Sequence, residues 1–435
     1  MLRVVSGLFF FPRGGSSHLA RSLCRSLVAL GDRVTLAVGS LGEPGGRSHA
    51  ETFFTGIDVV AVDYTPGGDV PFQPSYEERP GAPDPVFASV PEATFEHLVA
   101  VWAGALAQAG AAEADVLHLH HLTPVHEAAR RHFGGVPVVT ELHGTELGML
   151  REIDAGAPWP HGAAWAERMR RWAAASPTLL VAPGIADDAA ARLGVPRERF
   201  VELPGGVDLD LFDRRPTDRL AFWRRWLVEE PQGWDESGVP GSIRYGGADL
   251  VAIAAGRPVV LFVGRYTEVK RIPLLLRAHV RAQEAAGAAV PLVLVGGHPG
   301  EWEGEHPARL AGPNVLLAGW HAHDELAAAI NAADLVVLAS RSEAFGLVLA
   351  EAMACGVPVV ATAAQGPSRI VDDGETGWLV PVDDEDALAA ALLEAVSDED
   401  ERLRRGRLAY ARARARYGEQ AVARLVHETL SKARK

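Results

Sequence analysis

The sequence predicts an α/β protein made of two doubly wound, mostly parallel-sheet domains that face each other across a cleft, on three observations. Short apolar runs of strand length alternate with longer helical patterns. The alternation halts at Pro204-Gly205-Gly206-Val207-Asp208 and then restarts. The chain has 435 residues, 48% hydrophobic and 23% charged, which is enough for two or three ordinary domains, each with its own core.

The elements follow in order. An apolar stretch from Val4 to Phe11 is short for a signal-peptide core, lacks a small-residue cleavage site and runs into Pro12 and Gly14. It reads as a buried first strand, Leu2 to Phe9, followed by a helix from about Ser16 to Leu30 and a strand from Val34 to Val38, a βαβ opening. Further strands are expected at Asp58 to Val62, Val116 to His120, Val136 to Thr140, Leu179 to Ala182 and Phe200 to Leu203. After the interruption they are expected at Val259 to Val263, Leu292 to Val295, Val315 to Ala318, Leu335 to Leu338, Val357 to Ala361 and Trp378 to Val380. The expected layout is a first domain over residues 1–203, a hinge over 204–218, a second domain over 219–410 and a basic C-terminal helix over 411–435 returning to the first domain. Tyr64 to Pro91 holds seven prolines, too many for a sheet or helix interior, and reads as a long ordered loop or a lid. Pro231 to Gly247 is also turn-rich and follows the aromatic patch Phe222, Trp223 and Trp226.

Charge and composition exclude several classes. Acids outnumber bases 56 to 42, for a net charge of −14, so the molecule as a whole repels a polyphosphate and nucleic-acid binding is not expected. The two cysteines, Cys24 and Cys355, sit in apolar helical patterns far apart, which builds neither a disulfide scaffold nor a thiolate metal site and fits a reducing cytoplasm. No apolar run approaches the roughly 18 residues of a membrane span. From Glu401 onward there are eleven Arg or Lys against three Glu. The favoured reading is a solvated helix whose arginines pair with the acidic body, packed down by Tyr410 and Tyr417. The competing reading is a surface for anionic lipid that uses Arg402, Arg404 and Arg405.

Three segments carry chemistry. Pro12-Arg13-Gly14-Gly15-Ser16-Ser17 lies between the first strand and first helix, where glycine lets backbone approach a ligand and the helix N-terminus offers unpaired N–H groups; adjacent glycines also make plain tight turns. It is not G-x-G-x-x-G, and no G-x-x-x-x-G-K-[ST] occurs, so dinucleotide-dehydrogenase and P-loop readings recede. Phe262 to Arg271 places Gly264, Arg265 and Lys270 where a strand opens into the cleft, as suits a diphosphate that gains charge on leaving. Only three of the 42 basic residues are lysine, and Lys270 is the only one before Lys432. A compact, rotatable ammonium at that place is therefore an exception to the chain's habit. Ser342 to Glu351 puts one carboxylate, Glu343, before a helix that starts near Gly346, and another, Glu351, inside its apolar run. A structural salt bridge is the plainer account of one such glutamate. Two flanking a helix N-terminus opposite a Gly-Arg…Lys loop point to sugar hydroxyls.

Glu343 and Glu351, seven residues between them, resemble the E-x7-E signature of retaining nucleotide-sugar glycosyltransferases of the GT-B fold, family four. The resemblance covers most of the chain in five ordered motifs: the Gly14-Gly15 loop, His143-Gly144-Thr145-Glu146, Pro204 to Asp208, Gly264-Arg265…Lys270, and Glu343 to Pro358. It implies two Rossmann-like domains and a set of roles. Arg265 and Lys270 hold the donor diphosphate. Glu343 meets hydroxyls of the transferred sugar, Glu351 meets the nucleotide ribose, and Phe345, Gly346, Leu347 and Val348 lie against sugar and phosphate. Gly15, with Gly14, closes on the phosphates, and His143 faces the donor sugar near the reacting carbon. His118, His120 and Glu146 fall on the acceptor side. Transfer proceeds with retention as the glycosyl–phosphate bond loosens. The departing phosphate takes the acceptor's proton, and Glu343 is not a nucleophile.

His118 and His120 share one strand face, a spacing that suits a metal, but no third ligand is identifiable in sequence, and acceptor contact or packing, also for His121, is the favoured reading. Asp208-Leu209-Asp210 spells D-x-D, yet at the hinge it is expected to cap a short helix. No required metal or cofactor is expected beyond the nucleoside diphosphate sugar, UDP- or GDP-linked, as co-substrate. The leading expectation is a cytoplasmic enzyme, not membrane-bound, with a small soluble acceptor in thiol-cofactor or natural-product biosynthesis. A peripheral-membrane transferase with a lipid or cell-envelope acceptor is the close alternative, and an epimerase of the same fold or a sugar-binding protein are the alternatives from other classes. Membrane association through the basic C-terminus and a homodimer are compatible with the sequence.

Overall fold

The computed structural model describes residues 1–12, 14–70, 74–77 and 84–434. Arg13 of the glycine-bearing motif and residues 71–73 and 78–83 of the proline-rich segment lie outside the described residues. The chain divides into two compact units, Met1–Gly206 with Glu419–Lys435, and Val207–Gly418.

The first unit is a seven-stranded parallel sheet built from β1 (Arg3–Leu8), β2 (Arg33–Ser40), β3 (Asp58–Asp63), β4 (Val116–His120), β5 (Val138–Glu141), β6 (Thr178–Val181) and β7 (Phe200–Glu202). The order is β3-β2-β1-β4-β5-β6-β7, so the chain winds outward from β1 to β3 and then crosses back to β4. Between β1 and β4 the connections diverge, which opens a crevice at the strands' carboxyl ends. The strands are continuous apolar runs because helices cover both sheet faces. Helix Gly14–Ala29 shows the matching pattern, burying Ala20, Leu23, Cys24 and Leu27 at helical spacing. Burial pushes the Cys24 thiol up to about 12, so it behaves as a small apolar side chain.

The second unit repeats the plan with six parallel strands: β8 (Val260–Gly264), β9 (Leu292–Gly296), β10 (Val315–Gly319), β11 (Leu335–Leu338), β12 (Val359–Thr362) and β13 (Gly377–Val380), in the order β10-β9-β8-β11-β12-β13. Its switch point lies between β8 and β11. All thirteen strands fall on the runs that predict them, with ends shifted by a residue or two.

The proline-rich segment is tied to the first unit wherever it is described. Tyr64 donates its hydroxyl hydrogen to the Phe9 carbonyl at 2.7 Å, Tyr76 to the Leu122 carbonyl at 2.7 Å, and the Phe87 ring stacks on Trp165 at 4.6 Å. Aromatic anchors with a polar tip thus bury the segment and satisfy it at once. Pro231 to Gly247 is fastened likewise: Trp234 is buried against Tyr266 and His306, with ring centroids 5.4 and 4.6 Å away.

The C-terminus departs from expectation. The basic stretch forms two helices, Glu399–Arg416 in the second unit and Glu419–Ala433 in the first, so residues 411–418 do not return to the first domain. The chain turns at Tyr417-Gly418, where the Val207 N–H donates to the Tyr417 carbonyl at 2.7 Å. A Cβ on Gly418 would stand 2.7 Å from Leu209 Cδ1, so a larger residue here would have to push the Leu209 side chain aside. The three arginines named for lipid are engaged by the protein itself. Arg402 Nη1 donates to the Ala395 carbonyl at 2.8 Å, Arg404 Nε to Glu401 at 2.6 Å, and Arg405 Nη1 to the Gly377 carbonyl at 2.7 Å, with its guanidinium 3.9 Å from the Trp378 ring centre. Asp208 caps a turn rather than a helix, accepting the Asp210 and Leu211 N–H groups at 2.9 and 3.0 Å. Among the described residues no helix is long and apolar enough to cross a membrane.

Candidate functional site

In the second unit the site grows from the switch point. β8 ends at Gly264, and the turn Glu268–Lys270 follows it. β11 ends at Leu338, and the chain then runs through Glu343 to helix Leu347–Ala354. Because β8 and β11 are sheet neighbours, the two loops meet, and Lys270 Nζ lies 2.5 Å from Glu343 Oε2, with both side chains less than a fifth exposed. Phe345 and the helix entry are held by a close passage of chain. The Gly366 N–H donates to the Glu343 carbonyl at 2.8 Å, and a Cβ on Gly366 would stand 2.3 Å from the Phe345 carbonyl oxygen. Gly346 caps the helix at φ +89°, a left-handed conformation that suits glycine, and the first amides of the helix, from Leu347 and Val348, have no partner within it.

Glu351 sits inside that helix, 3% exposed, with Oε1 2.6 Å from His323 Nε2. A buried carboxylate without a donor is costly, and His323 supplies one here. Gly264 packs against Phe262, whose ring a Cβ would approach to 3.1 Å. Arg265 is exposed. A flanking cluster steadies the loops: Asp383 receives Arg271 Nε at 2.5 Å and Arg341 Nε at 2.9 Å.

The first unit carries a second cluster at the carboxyl ends of β4 and β5. These strands are parallel neighbours in the register His118 to Val139 and His120 to Glu141. His118 Nε2 is 3.1 Å from Glu141 Oε2, and His120 Nδ1 is 3.6 Å from the same oxygen and 3.1 Å from His143 Nε2. His121, at φ +62°, lies with Nδ1 2.7 Å from Glu146 Oε1, and the Glu146 carboxylate also receives the His143 N–H at 3.3 Å. Burial holds the His120 imidazole well below its ordinary value and takes His143 down to about 4, so both are neutral near pH 7. Gly14, at φ +67°, and Gly15 open helix Gly14–Ala29 on the exposed surface of this unit.

The structure therefore joins Lys270 to Glu343, and the buried His118, His120 and Glu146 to the half-buried His143 in one group. Gly14, Gly15 and Arg265 are exposed and stand outside both clusters. Glu146, expected on the acceptor side, is fully buried and acts as a strut for the His143 turn. His118 and His120, also expected on the acceptor side, are 1% and 0% exposed. Sequence reasoning missed Glu141, His121 in its pairing with Glu146, and His323. It ended the strand at Thr140, one residue before Glu141, and found no third donor beside the two histidines, whereas strand pairing sets Glu141 directly opposite His120. His323 lies 28 residues from Glu351, and only the sheet order brings them together.

Comparison with known proteins agrees with this architecture. Residues 13–211 match the model described as "Glycosyltransferase Family 4", and residues 251–412 that described as "Glycosyl transferases group 1". The chain is 33% identical over 309 residues to D-inositol 3-phosphate glycosyltransferase 1 of Catenulispora acidiphila, a match covering 66% of this chain and 65% of that protein. It is 34% identical over 193 residues to phosphatidyl-myo-inositol mannosyltransferase of Mycolicibacterium smegmatis, covering 43% and 49%. The chain thus spans between about two fifths and two thirds of the length of the first curated relatives it matches. Among solved structures, sucrose-phosphate synthase from Thermosynechococcus elongatus has a TM-score of 0.68 at 21% identity, with 99% of this chain and 98% of that one covered. The HepE protein of Anabaena, in complex with UDP and glucose, has 0.67 at 18%, covering 99% and 100%. At these identities the likeness is one of fold.

Proposed function

Since the chain belongs to glycosyltransferase family four, we propose that it transfers a hexosyl group, with retention, from a nucleoside diphosphate sugar, UDP-linked first, to an acceptor bearing a phosphorylated inositol in the cell envelope. The observation that carries the donor half is the Lys270–Glu343 pair at the β8/β11 switch point, beside the amides that open helix Leu347–Ala354. Lysine has three N–H donors, and the carboxylate takes one. The others serve a diphosphate oxygen, with Arg265 and the helix amides as further positive groups.

As the glycosyl–phosphate bond lengthens, charge builds on the leaving diphosphate, and fixed donors stabilise that charge more than they stabilise the ground state. Glu343, held by Lys270 through Oε2, keeps Oε1 for hydroxyls of the sugar. Glu351 takes the ribose hydroxyls, and His323 keeps that carboxylate satisfied before the nucleotide arrives. The acceptor attacks from the face the diphosphate leaves and passes its proton to the departing phosphate oxygen.

For the acceptor, the names of the relatives favour the cell-envelope alternative over a generic soluble metabolite: the M. smegmatis relative is named for phosphatidyl-myo-inositol. Relatives named for D-inositol 3-phosphate support a second reading, the same head group free in solution. The test incubates the enzyme with UDP- and GDP-hexoses, and either vesicles containing phosphatidylinositol or free inositol phosphate, with products read by mass spectrometry. Glycosylated lipid is expected; product only with free inositol phosphate selects the second reading. Lys270→Ala is expected to lower transfer at least ~100-fold through lost leaving-group stabilisation. Turnover near that of the unaltered enzyme would remove Lys270 from this role.

A further inference from the structure

The buried histidine cluster asks for a partner that the proposed reaction does not supply. His118, His120 and Glu141 each hold one possible donor atom within 4.8 Å of the others. They are 1%, 0% and 7% exposed. His118 Nε2 and Glu141 Oε2 stand 3.1 Å apart, yet neither makes an aligned hydrogen bond, and His120 Nε2 has none either. Buried polar atoms are nearly always paired. Buried donor atoms held this close together, one of them the partnerless His120 Nε2, make a set that a single cation could satisfy. The carboxylate's surroundings sharpen the point. Among the described residues, the side chains that meet Glu141 are the imidazoles of His118 and His120, with no lysine or arginine, so its charge lacks a fixed cation.

From this we propose that His118, His120 and Glu141 form a binding site for one divalent transition-metal ion of the zinc class. Two imidazoles and a carboxylate suit Zn2+, Co2+ or Fe2+ rather than Mg2+ or Ca2+, which prefer all-oxygen shells. The backbone is already arranged for it: the i, i+2 spacing sets both histidines on one face of β4, and the β4/β5 register sets Glu141 opposite His120. The ion would fix the corner from which His143 projects, since His120 Nδ1 reaches His143 Nε2 at 3.1 Å. It has no part in leaving-group departure, which the proposed reaction assigns to Lys270, so this inference stands apart from that one.

The experiment uses the full chain purified without chelator. Elemental analysis is expected to find about one zinc-class ion per chain. After chelator treatment, added Co2+ is expected to give the intense visible bands of a low-coordinate site, and added Zn2+ to raise the melting temperature. Glu141→Gln is expected to weaken Co2+ binding at least ~100-fold. Because that variant changes a buried group, His120→Cys provides the second arm: a bound cobalt ion then shows a thiolate charge-transfer band. Absence of metal after purification, together with the pale spectrum of hydrated Co2+ and no thiolate band, would overturn the proposal. So would histidine ring N–H resonances in metal-free protein showing that protons already bridge the three groups.

Discussion

Glu351 is a carboxylate buried in an otherwise apolar helix, and among the described residues its ion-pair contact is His323 at 2.6 Å. A group so placed is poised to exchange one donor for another. Replacing it by glutamine keeps the shape and removes the charge, and a hydrogen bond to a charged group is worth enough that nucleotide affinity should fall ~10- to 100-fold. Calorimetric titration of Glu351→Gln with UDP and with GDP measures this, and unchanged affinity for whichever nucleotide binds the parent would exclude Glu351 from the nucleotide site. At this scale the sequence discloses half of the arrangement. Two carboxylates with seven residues between them can be seen in a linear chain; that one meets Lys270 and the other His323 cannot, because those contacts depend on which strands are neighbours.

Elements set how firmly such side chains are held. The turn before helix Leu347–Ala354 survives only because Gly366 passes within van der Waals reach of the Phe345 carbonyl. Gly366→Ala should displace the turn at a cost of ~1–3 kcal/mol and lower kcat/KM by about tenfold or more, with a reduced melting temperature; unaltered values for both would show that the turn gives way freely. Helix Pro124–His132 offers a pH test. His126 is buried beside Thr140, and burial takes its imidazole down to about 3. The adjacent Glu127 is buried too, but the hydrogen bonds from Arg130, Trp172 and Arg131 outweigh that and hold its carboxyl below its ordinary value. Both folded values are depressed, so the unfolded chain binds more protons and stability is lost as pH falls. The loss begins near 6.5 through His126 and is joined near 4.5 by Glu127. His126→Gln should reduce the slope of stability with pH between those values by up to about 1.4 kcal/mol per pH unit, as measured by denaturant titration; an unchanged slope would mean that His126 does not govern it. The strands were legible because each is a buried apolar run bounded by turn residues. β5 was not fully so: its last residue, Glu141, is charged, and hydrophobic pattern alone stops short of a charged residue that ends a strand inside a protein.

At the scale of the whole molecule, the restart of the strand pattern after Pro204 exposed the two-unit plan, whereas the point at which the chain re-enters the first unit was hidden. Eleven basic residues in one stretch look like a single surface; the division at Gly418 rests on packing, with Arg402 and Arg405 buried in one unit and Val422, Val426 and Leu430 buried in the other. Removing residues 419–435 should therefore act on one unit. Those three side chains alone account for at most roughly 5–9 kcal/mol of burial, and the His427–Asp32 contact at 2.6 Å goes with them. Scanning calorimetry of the truncated chain should show the second unit's transition retained and the first unit's lowered or lost; both falling together would show that the units melt as one. The same division inverts the order of manufacture. Everything the second unit needs has left the ribosome once Gly418 emerges, while the first unit still lacks the helix that packs on Gly14–Ala29 and on β4 and β5. The earlier-made of these two units is thus the later to be completed, and a nascent chain stalled before Glu419 would carry one mature unit and one with its apolar flank open to chaperones and proteases.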